Sequence, residues 1–384
     1  MLELDLNHDE IPLGTNIKII GVGGAGGNAI NTMIENGLTG VEFIAANTDL
    51  TDLKKSRAQI RLQLGRETTK GLGAGANPDI GRKSAEESRE EIRRQLQDAN
   101  MIFIAAGMGG GTGTGAAPII ASLAKEMGIL TIGIVSRPFR SEGRKRLLNA
   151  DNGIKKLREI LDTLIVIPND KLKDIYANMT VINAFREADN ILFEAAKAVS
   201  DIIHSSGYIK VDFADVKAVM ANRGFALMGS AVSEGDNRAQ ESVRLAMSNP
   251  LLEEIRIENS PGILINITAG QDFKMDEFEI ITNEVSQKAG DNADIITGII
   301  FDDSMEGKVK VTVIATGLHS VEEVVQPLEM HPLDTDESGE ELKDIFTRIK
   351  SSEQQGINKK SQKPKDNAGN LQMDIPAFMR KFSN

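Results

Sequence analysis

Six glycines fall within the nine residues 107–115 of "GMGGGTGTGAAP" (Gly107–Pro118). No helix or strand interior keeps that density, because glycine gives up the most backbone freedom on ordering. A second stretch, "IIGVGGAGGNAI" (Ile19–Ile30), repeats the feature near the start of the chain. Each follows an apolar run that reads as a strand and leads into a helical pattern. In such a turn, backbone N–H groups and the positive helix end converge on an anion, and glycine lets a phosphate approach without meeting a Cβ. Gly21-x-Gly23-x-x-Gly26 alone fits a dinucleotide fingerprint, and equally a tight turn with close helix–strand packing. A dinucleotide needs one pyrophosphate cradle, whereas a nucleoside triphosphate can span two. Neither turn ends in the Gly-Lys-Ser/Thr of a Walker loop, which leaves phosphates to backbone amides, helix ends and the hydroxyls of Thr112 and Thr114.

Apolar runs alternate with amphipathic helical patterns from residue 17 onward. Strands are predicted over 17–22, 41–46, 101–106, 129–135 and 163–168, with helices over 81–97 and 144–161 among them. Several strands are continuous Ile/Val runs, as expected when both faces of a parallel sheet are covered. The pattern predicts a doubly wound, mostly parallel α/β nucleotide-binding domain over 17–179, after a flexible N-terminus at 1–16. Residues 180–206 contain neither Gly nor Pro and read as one long central helix. A second, smaller α/β domain with a mixed sheet is predicted over 207–317, from strands at 224–232, 262–270, 294–302 and 308–316 and helices at 213–222, 236–247 and 275–288. Residues 318–373 are polar and charged and read as a disordered linker. The peptide 374–384 differs again. Ile375, Phe378, Met379 and Phe382 stand at helical spacing, which suits partner binding from a flexible tether.

Composition narrows the function classes. A net charge of −12 argues against a nucleic-acid binder, which needs a basic face. With no Cys and four scattered His, neither a disulfide framework nor a zinc site is expected. The N-terminus lacks the apolar core of a signal peptide, and runs such as "ILTIGIVS" (129–136) are too short to span a membrane. A cytoplasmic location, with membrane contact only through other proteins, is the expectation.

"GGGTGTG" (109–115), "NTD" (47–49), "KGLGAGANP" (70–78), "IPND" (167–170), "VDFADV" (211–216) and the tail "DIPAFMRKF" (374–382) occur together and in order. In these blocks the chain resembles the tubulin/FtsZ GTPase superfamily, and within it the bacterial cell-division members, across residues 17–317. The resemblance implies binding of GTP with Mg2+ and hydrolysis to GDP. It implies that Gly23, Gly24, Ala25, Gly26 and Gly27 wrap the phosphates, with Asn28 beside the nucleotide. Asn47 and Asp49 are implied to lie by the phosphates and Mg2+, and Ala74, Gly75 and Ala76 by the γ-phosphate. No protein-only metal site is expected. Gly107, Gly109, Gly110, Gly111, Thr112, Gly113, Thr114 and Gly115 would form the second phosphate cradle. Glu142 resembles a ribose contact and Arg146 a phosphate neighbour, with Pro138 and Asn169 in the same site. Phe185 resembles the ring that stacks on the base, and Asp189 the carboxylate that pairs with it. A carboxylate accepts from both N1–H and the exocyclic amine of guanine, whereas the bare N1 of adenine repels it, so Asp189 favours GTP.

Without the resemblance, Phe185 reads as a core aromatic and Asp189 as a solvated helix residue. Asp212 likewise reads as a helix N-cap and Asp215 as an acidic N3 residue. The resemblance implies instead that Asp212 and Asp215 enter the next subunit's nucleotide pocket and polarise the attacking water. Hydrolysis would then require head-to-tail association, a contact that does not close and so builds a filament, here a division ring at midcell. Lys210 stands where the family usually has Asn, two residues before the first aspartate, and is expected to contact the neighbour's nucleotide. Asp374, Ile375, Pro376, Phe378, Met379 and Arg380 would bind membrane-tethering division adaptors. Two other readings stay open: a Rossmann-type NAD(P) enzyme, resting on the first glycine turn alone, and a nucleotide-binding scaffold without turnover.

Overall fold

A strand covered on both faces must be apolar on both. That holds for β4 (Met101–Gly107), buried up to its last residue, and nearly so for β1 (Ile17–Val22), buried at every residue, whose one charged side chain, Lys18, pairs with Glu42 at 2.8 Å and donates to the Gln95 carbonyl oxygen at 3.0 Å. The computed structural model describes residues 14–172, 180–204, 211–221, 223–249, 260–290 and 292–318. Residues 1–13, Lys210, nearly all of the 318–373 segment and the 374–384 peptide lie outside these residues. β1 pairs in parallel with β4 and with β2 (Val41–Asn47), which pairs with β3 (Ile60–Gln63). On the other side β4 pairs with β5 (Leu130–Arg137) and β5 with β6 (Thr163–Pro168), again in parallel.

The sheet then continues. β6 pairs with β7 (Gly224–Glu234) through three residue pairs only, Thr163–Gly224 to Ile165–Ala226. β10 (Lys308–Leu318) runs antiparallel to β7 and to β8 (Gly262–Ala269), and β8 is parallel to β9 (Asp294–Phe301). The described residues thus form one ten-stranded sheet, ordered β3-β2-β1-β4-β5-β6-β7-β10-β8-β9. Its first half is parallel and its second mixed.

Helices cover both faces, so neighbouring strand residues serve opposite cores. Ile20 and Ile104 lie in the core that α6 (Thr112–Glu126) and α7 (Arg144–Ile160) cover, and Ile265 and Val313 lie in the same core, which the helices Arg238–Met247 and Met275–Ala289 cover in the mixed half. Ile19, Phe103, Leu264 and Ile314 face the other way, toward α1 (Gly23–Glu35) and α8 (Val181–His204). α8 touches β5 and β6 of the parallel half and β8 and β9 of the mixed half. It is the spine that its unbroken sequence predicts.

Two departures from the sequence reading have clear causes. The helix predicted over 81–97 is two, α4 (Pro78–Glu87) and α5 (Arg89–Gln95), because Ser88 leaves helical geometry and its Oγ accepts from the Gly65 N–H at 3.0 Å. The start of α4 is capped by Asn77, whose side chain accepts from the Asp79 N–H at 3.0 Å. The sequence carries no clear signal for β3, since "IRLQ" is short and polar at alternate positions, nor for the single turn α3 (Arg66–Thr69) that follows it.

Candidate functional site

The glycines of the two turns do two kinds of work. A Cβ on Gly26 would lie 2.4 Å from the Ala105 carbonyl oxygen, and one on Gly115 only 2.0 Å from that of Pro78. Both would collide with backbone, so these glycines let α1 sit on β4 and α6 sit on α4. Gly113 is equally tight against the Gly107 carbonyl, at 2.6 Å. Gly109, with φ of +98°, is closed by the Thr114 hydroxyl, which accepts its N–H at 2.8 Å. Gly23, with φ of +76°, brings the first turn against the second, because a Cβ there would meet the Gly113 nitrogen at 2.9 Å. Gly27, Gly75 and Gly110 face open space instead. Beside Gly75, Ala76 holds a left-handed φ of +55°, a conformation that costs a non-glycine residue about 1–2 kcal/mol.

What these turns border is a cleft of about 490 Å³ at the carboxyl ends of β1, β2, β4, β5 and β6. Gly23, Gly24, Ala25 and Asn28 line it from the first turn, and Gly107, Gly110, Gly111, Thr112 and Gly113 from the second. Asn47 and Asp49 border it beside Ala74, Gly75 and Ala76, and Pro138, Glu142, Arg146, Asn169, Phe185 and Asp189 complete the wall. Of the residues expected to bind nucleotide, Gly26, Gly27, Gly109, Thr114 and Gly115 do not line this cleft; Gly27 borders a smaller adjoining pocket.

Local structure fixes several of these groups. Asp49 caps α2 (Leu50–Lys55), its Oδ1 accepting from the N–H groups of Thr51 (2.7 Å) and Asp52 (3.2 Å). The hydroxyls of Thr48 and Thr112 meet at 2.6 Å and tie that segment to the second turn. Glu142 accepts from the Phe139 N–H at 2.9 Å and from Arg146 at 2.7 Å.

At the α8 side the groups are exposed or unpaired. Phe185 keeps 44% of its surface open although it borders the cleft. Asp189 has no hydrogen-bond or ionic partner among the described residues, and burial pushes its carboxyl up to about 7. Asn169 is buried, yet its Oδ1 has no hydrogen-bond partner. A desolvated acceptor without a donor is costly, and a ligand donor would relieve it. Sequence reasoning had nothing to reveal this burial, nor the adjoining lining residues Asp52, Leu72, Gly73 and Ser136.

Asp212 and Asp215 are not brought to this cleft. Both are exposed. Asp212 occupies the N-cap position of α9 (Phe213–Met220), and the Asp215 carboxylate accepts its N–H at 3.3 Å. Asp212 thus holds the N-cap position read from the sequence without a side-chain cap hydrogen bond of its own, and the reciprocal bond from Asp215 closes the helix start. Among the described residues no cluster of three or more acidic or histidine side chains gathers to hold a metal.

Comparison with known proteins adds a second line. Residues 16–177 match the GTPase domain of the tubulin/FtsZ family, and residues 224–319 match the C-terminal domain of the FtsZ family. Over 382 residues the chain is 44% identical to the cell division protein FtsZ of Buchnera aphidicola subsp. Schizaphis graminum, covering 96% of this chain and 97% of that one. It is 52% identical over 311 residues to the cell division protein FtsZ of Pseudomonas aeruginosa, covering 81% and 79%. An FtsZ dimer from M. jannaschii superposes with a TM-score of 0.76 at 42% identity, covering 79% of this chain and 88% of that one.

Proposed function

The chain belongs to the FtsZ branch of the tubulin/FtsZ GTPases, the cell division proteins, and from that membership we propose a polymerising enzyme that hydrolyses GTP between subunits. The observation that carries the proposal is the convergence of two glycine turns on one cleft whose far wall holds Phe185, Asp189 and Asn169. The turns suit a triphosphate, and the wall suits a guanine. Phe185 stacks on the base, ionised Asp189 accepts from N1–H and the exocyclic amine, and Asn169 offers its amide beside them. A single-cradle NAD(P) site would leave the second turn without a ligand.

Residues 17–179 act as the GTP-binding domain and 207–317 as the domain that activates the neighbour's hydrolysis. Asp49, Asp52 and Asn47 present oxygens beside the glycine turns, of the hard kind that Mg2+ accepts alongside phosphate and water. Bound there with the nucleotide, Mg2+ would neutralise phosphate charge. Asp212 and Asp215 of the next subunit orient a water and draw its proton as the water oxygen bonds to the γ-phosphorus. The bond to the bridging oxygen breaks, GDP keeps that electron pair, and amides and helix ends at the turns hold the charge. Product at the joint weakens the filament. Lys210 contacts the neighbour's nucleotide, so Lys210→Asn changes turnover or assembly.

M. jannaschii FtsZ has been solved as a dimer, which supports self-association; in this reading the chain assembles head to tail, at a midcell ring in the cytoplasm. No helix among the described residues is long and apolar enough to cross a membrane. Tethering through the 374–384 peptide to membrane adaptors supplies that contact.

GTP turnover per molecule, measured against protein concentration for the wild type and for Asp212→Ala, tests the proposal. A rate near zero at low concentration that rises above a threshold and vanishes in the variant supports it. A rate independent of concentration places a complete site within one chain and rejects it; no turnover at any concentration leaves a scaffold.

A further inference from the structure

The turn between β5 and α7 is tied down residue by residue. Arg137 makes a two-pronged pair with Asp151 of α7, at 2.7 and 3.2 Å. Pro138 lies under Gly109, where a Cβ would come within 3.1 Å of its Cγ. Phe139 donates its N–H to Glu142, and its buried ring meets Phe185. The Arg140 N–H is held from outside the turn. It points between the two carboxylate oxygens of Asp170, at 3.3 and 3.1 Å. The Arg140 side chain is 82% exposed and 3.6 Å from that carboxylate, an ion pair that solvent screens heavily. Beyond the β5–β6 ladder, which ends at Arg137 and Pro168, the backbone donor ties the two turns together. Asp170 directly follows Asn169 in the short helical turn Asn169–Lys171 that ends β6.

We propose that Asp170 is a positioning residue for guanine recognition. Through the Arg140 N–H it locks the 138–142 turn against the 169–171 turn, and touches no part of the nucleotide itself. With that lock closed, Phe139 holds the Phe185 ring, and Asn169 keeps its place in the cleft wall. Groups fixed before the ligand arrives lose less freedom on binding, which raises affinity. The inference rests on the GTP reading above.

Two substitutions open the lock from opposite sides. Asp170→Ala removes the acceptor. Arg140→Pro removes the donor at little backbone cost, because Arg140 is the first residue of its helical turn and Phe139 before it is already extended (φ −62°, ψ 147°). In either variant, GTP binding to the unassembled full chain weakens about tenfold, the scale of one charge-assisted hydrogen bond. ITP, whose base lacks the exocyclic amine, binds the wild type more weakly than GTP, and in both variants the two affinities converge. Asp170→Asn, which keeps an oxygen for the Arg140 N–H, restores binding and discrimination. Turnover per subunit at saturating GTP stays within about twofold, since the chemistry is untouched. Wild-type binding in Asp170→Ala or Arg140→Pro overturns the proposal, as does loss of GTP and ITP by the same factor. A wild-type chain that binds no GTP overturns the GTP reading itself, a result seen before any variant is made.

Discussion

The rings of Phe139 and Phe185 meet edge to face, with centroids 5.4 Å apart and planes at 87°. Phe139 is buried and belongs to the turn after β5, whereas Phe185 is exposed and belongs to α8. The buried ring therefore steadies the exposed one without covering it. Phe185→Ala should leave thermal stability within a few degrees, because little apolar area is lost. Base–aromatic stacking is worth about 1–3 kcal/mol, so GTP binding should weaken by about one to two orders of magnitude. Calorimetric titration with GTP, beside thermal melts of both proteins, checks the pair of outcomes.

Asp189 makes the site responsive to pH. Burial raises its pKa in the folded chain to about 7, against about 3.9 in the unfolded chain. The native state thus holds the proton more tightly, and the cost of ionising Asp189 is absent near pH 4, grows as pH rises, and is complete above pH 7. Nucleotide-free Asp189→Asn should melt at a higher temperature than the wild type at pH 8 and show little difference near pH 4. On the proposed reading, guanine pairs with the ionised carboxylate. Wild-type affinity for GTP should accordingly fall below pH 7, by at most about tenfold per unit, and Asp189→Asn should bind weakly without that slope.

Gly110 and Gly115 sit five residues apart in one loop–helix segment, yet the same change should read out differently at each. A Cβ at Gly110 meets nothing within 4 Å, while one at Gly115 would stand 2.0 Å from the Pro78 carbonyl oxygen. Gly110→Ala should preserve stability and weaken GTP binding, because the added methyl occupies cleft space. Gly115→Ala should cost roughly 1–3 kcal/mol or more of stability from overpacking against backbone. Denaturant melts separate the two, with nucleotide titration of Gly110→Ala completing the comparison.

Asp212 combines a capping position with its proposed role across the filament joint, and one substitution separates them. Asparagine serves at an N-cap about as well as aspartate but cannot take a proton from water. Asp212→Asn should match wild-type stability to within about 0.5 kcal/mol and lose nearly all turnover above the assembly threshold. Normal turnover in this variant would leave Asp212 with capping alone.

The architecture was legible because buried parallel strands announce themselves. "MIFIAA" has no polar residue, and "IKIIGV" has only Lys18, too little for the polar face of a helix or an exposed strand. The break at Ser88 was not legible, because its cause lies in Gly65, distant in sequence and near only in the fold. The same limit governs the site. Glycine density marked both turns, but which glycines pack and which face open space depends on the backbone lying opposite, as Gly26 and Gly110 show. The desolvation of Asp189 and the unpaired Oδ1 of Asn169 arise from burial, which spacing does not encode.

The three-residue ladder between β6 and β7 carries a mechanical consequence. It is the narrowest weld in a sheet whose neighbouring joints run for most of a strand's length, as between β7 and β10. Tension applied across the strands would part the backbone there first. α8, in contact with strands on both sides of the seam, is the splint that shares the load. Because the same helix carries Phe185 and Asp189, both in the cleft wall, strain at the weld and occupancy of the cleft bear on one element.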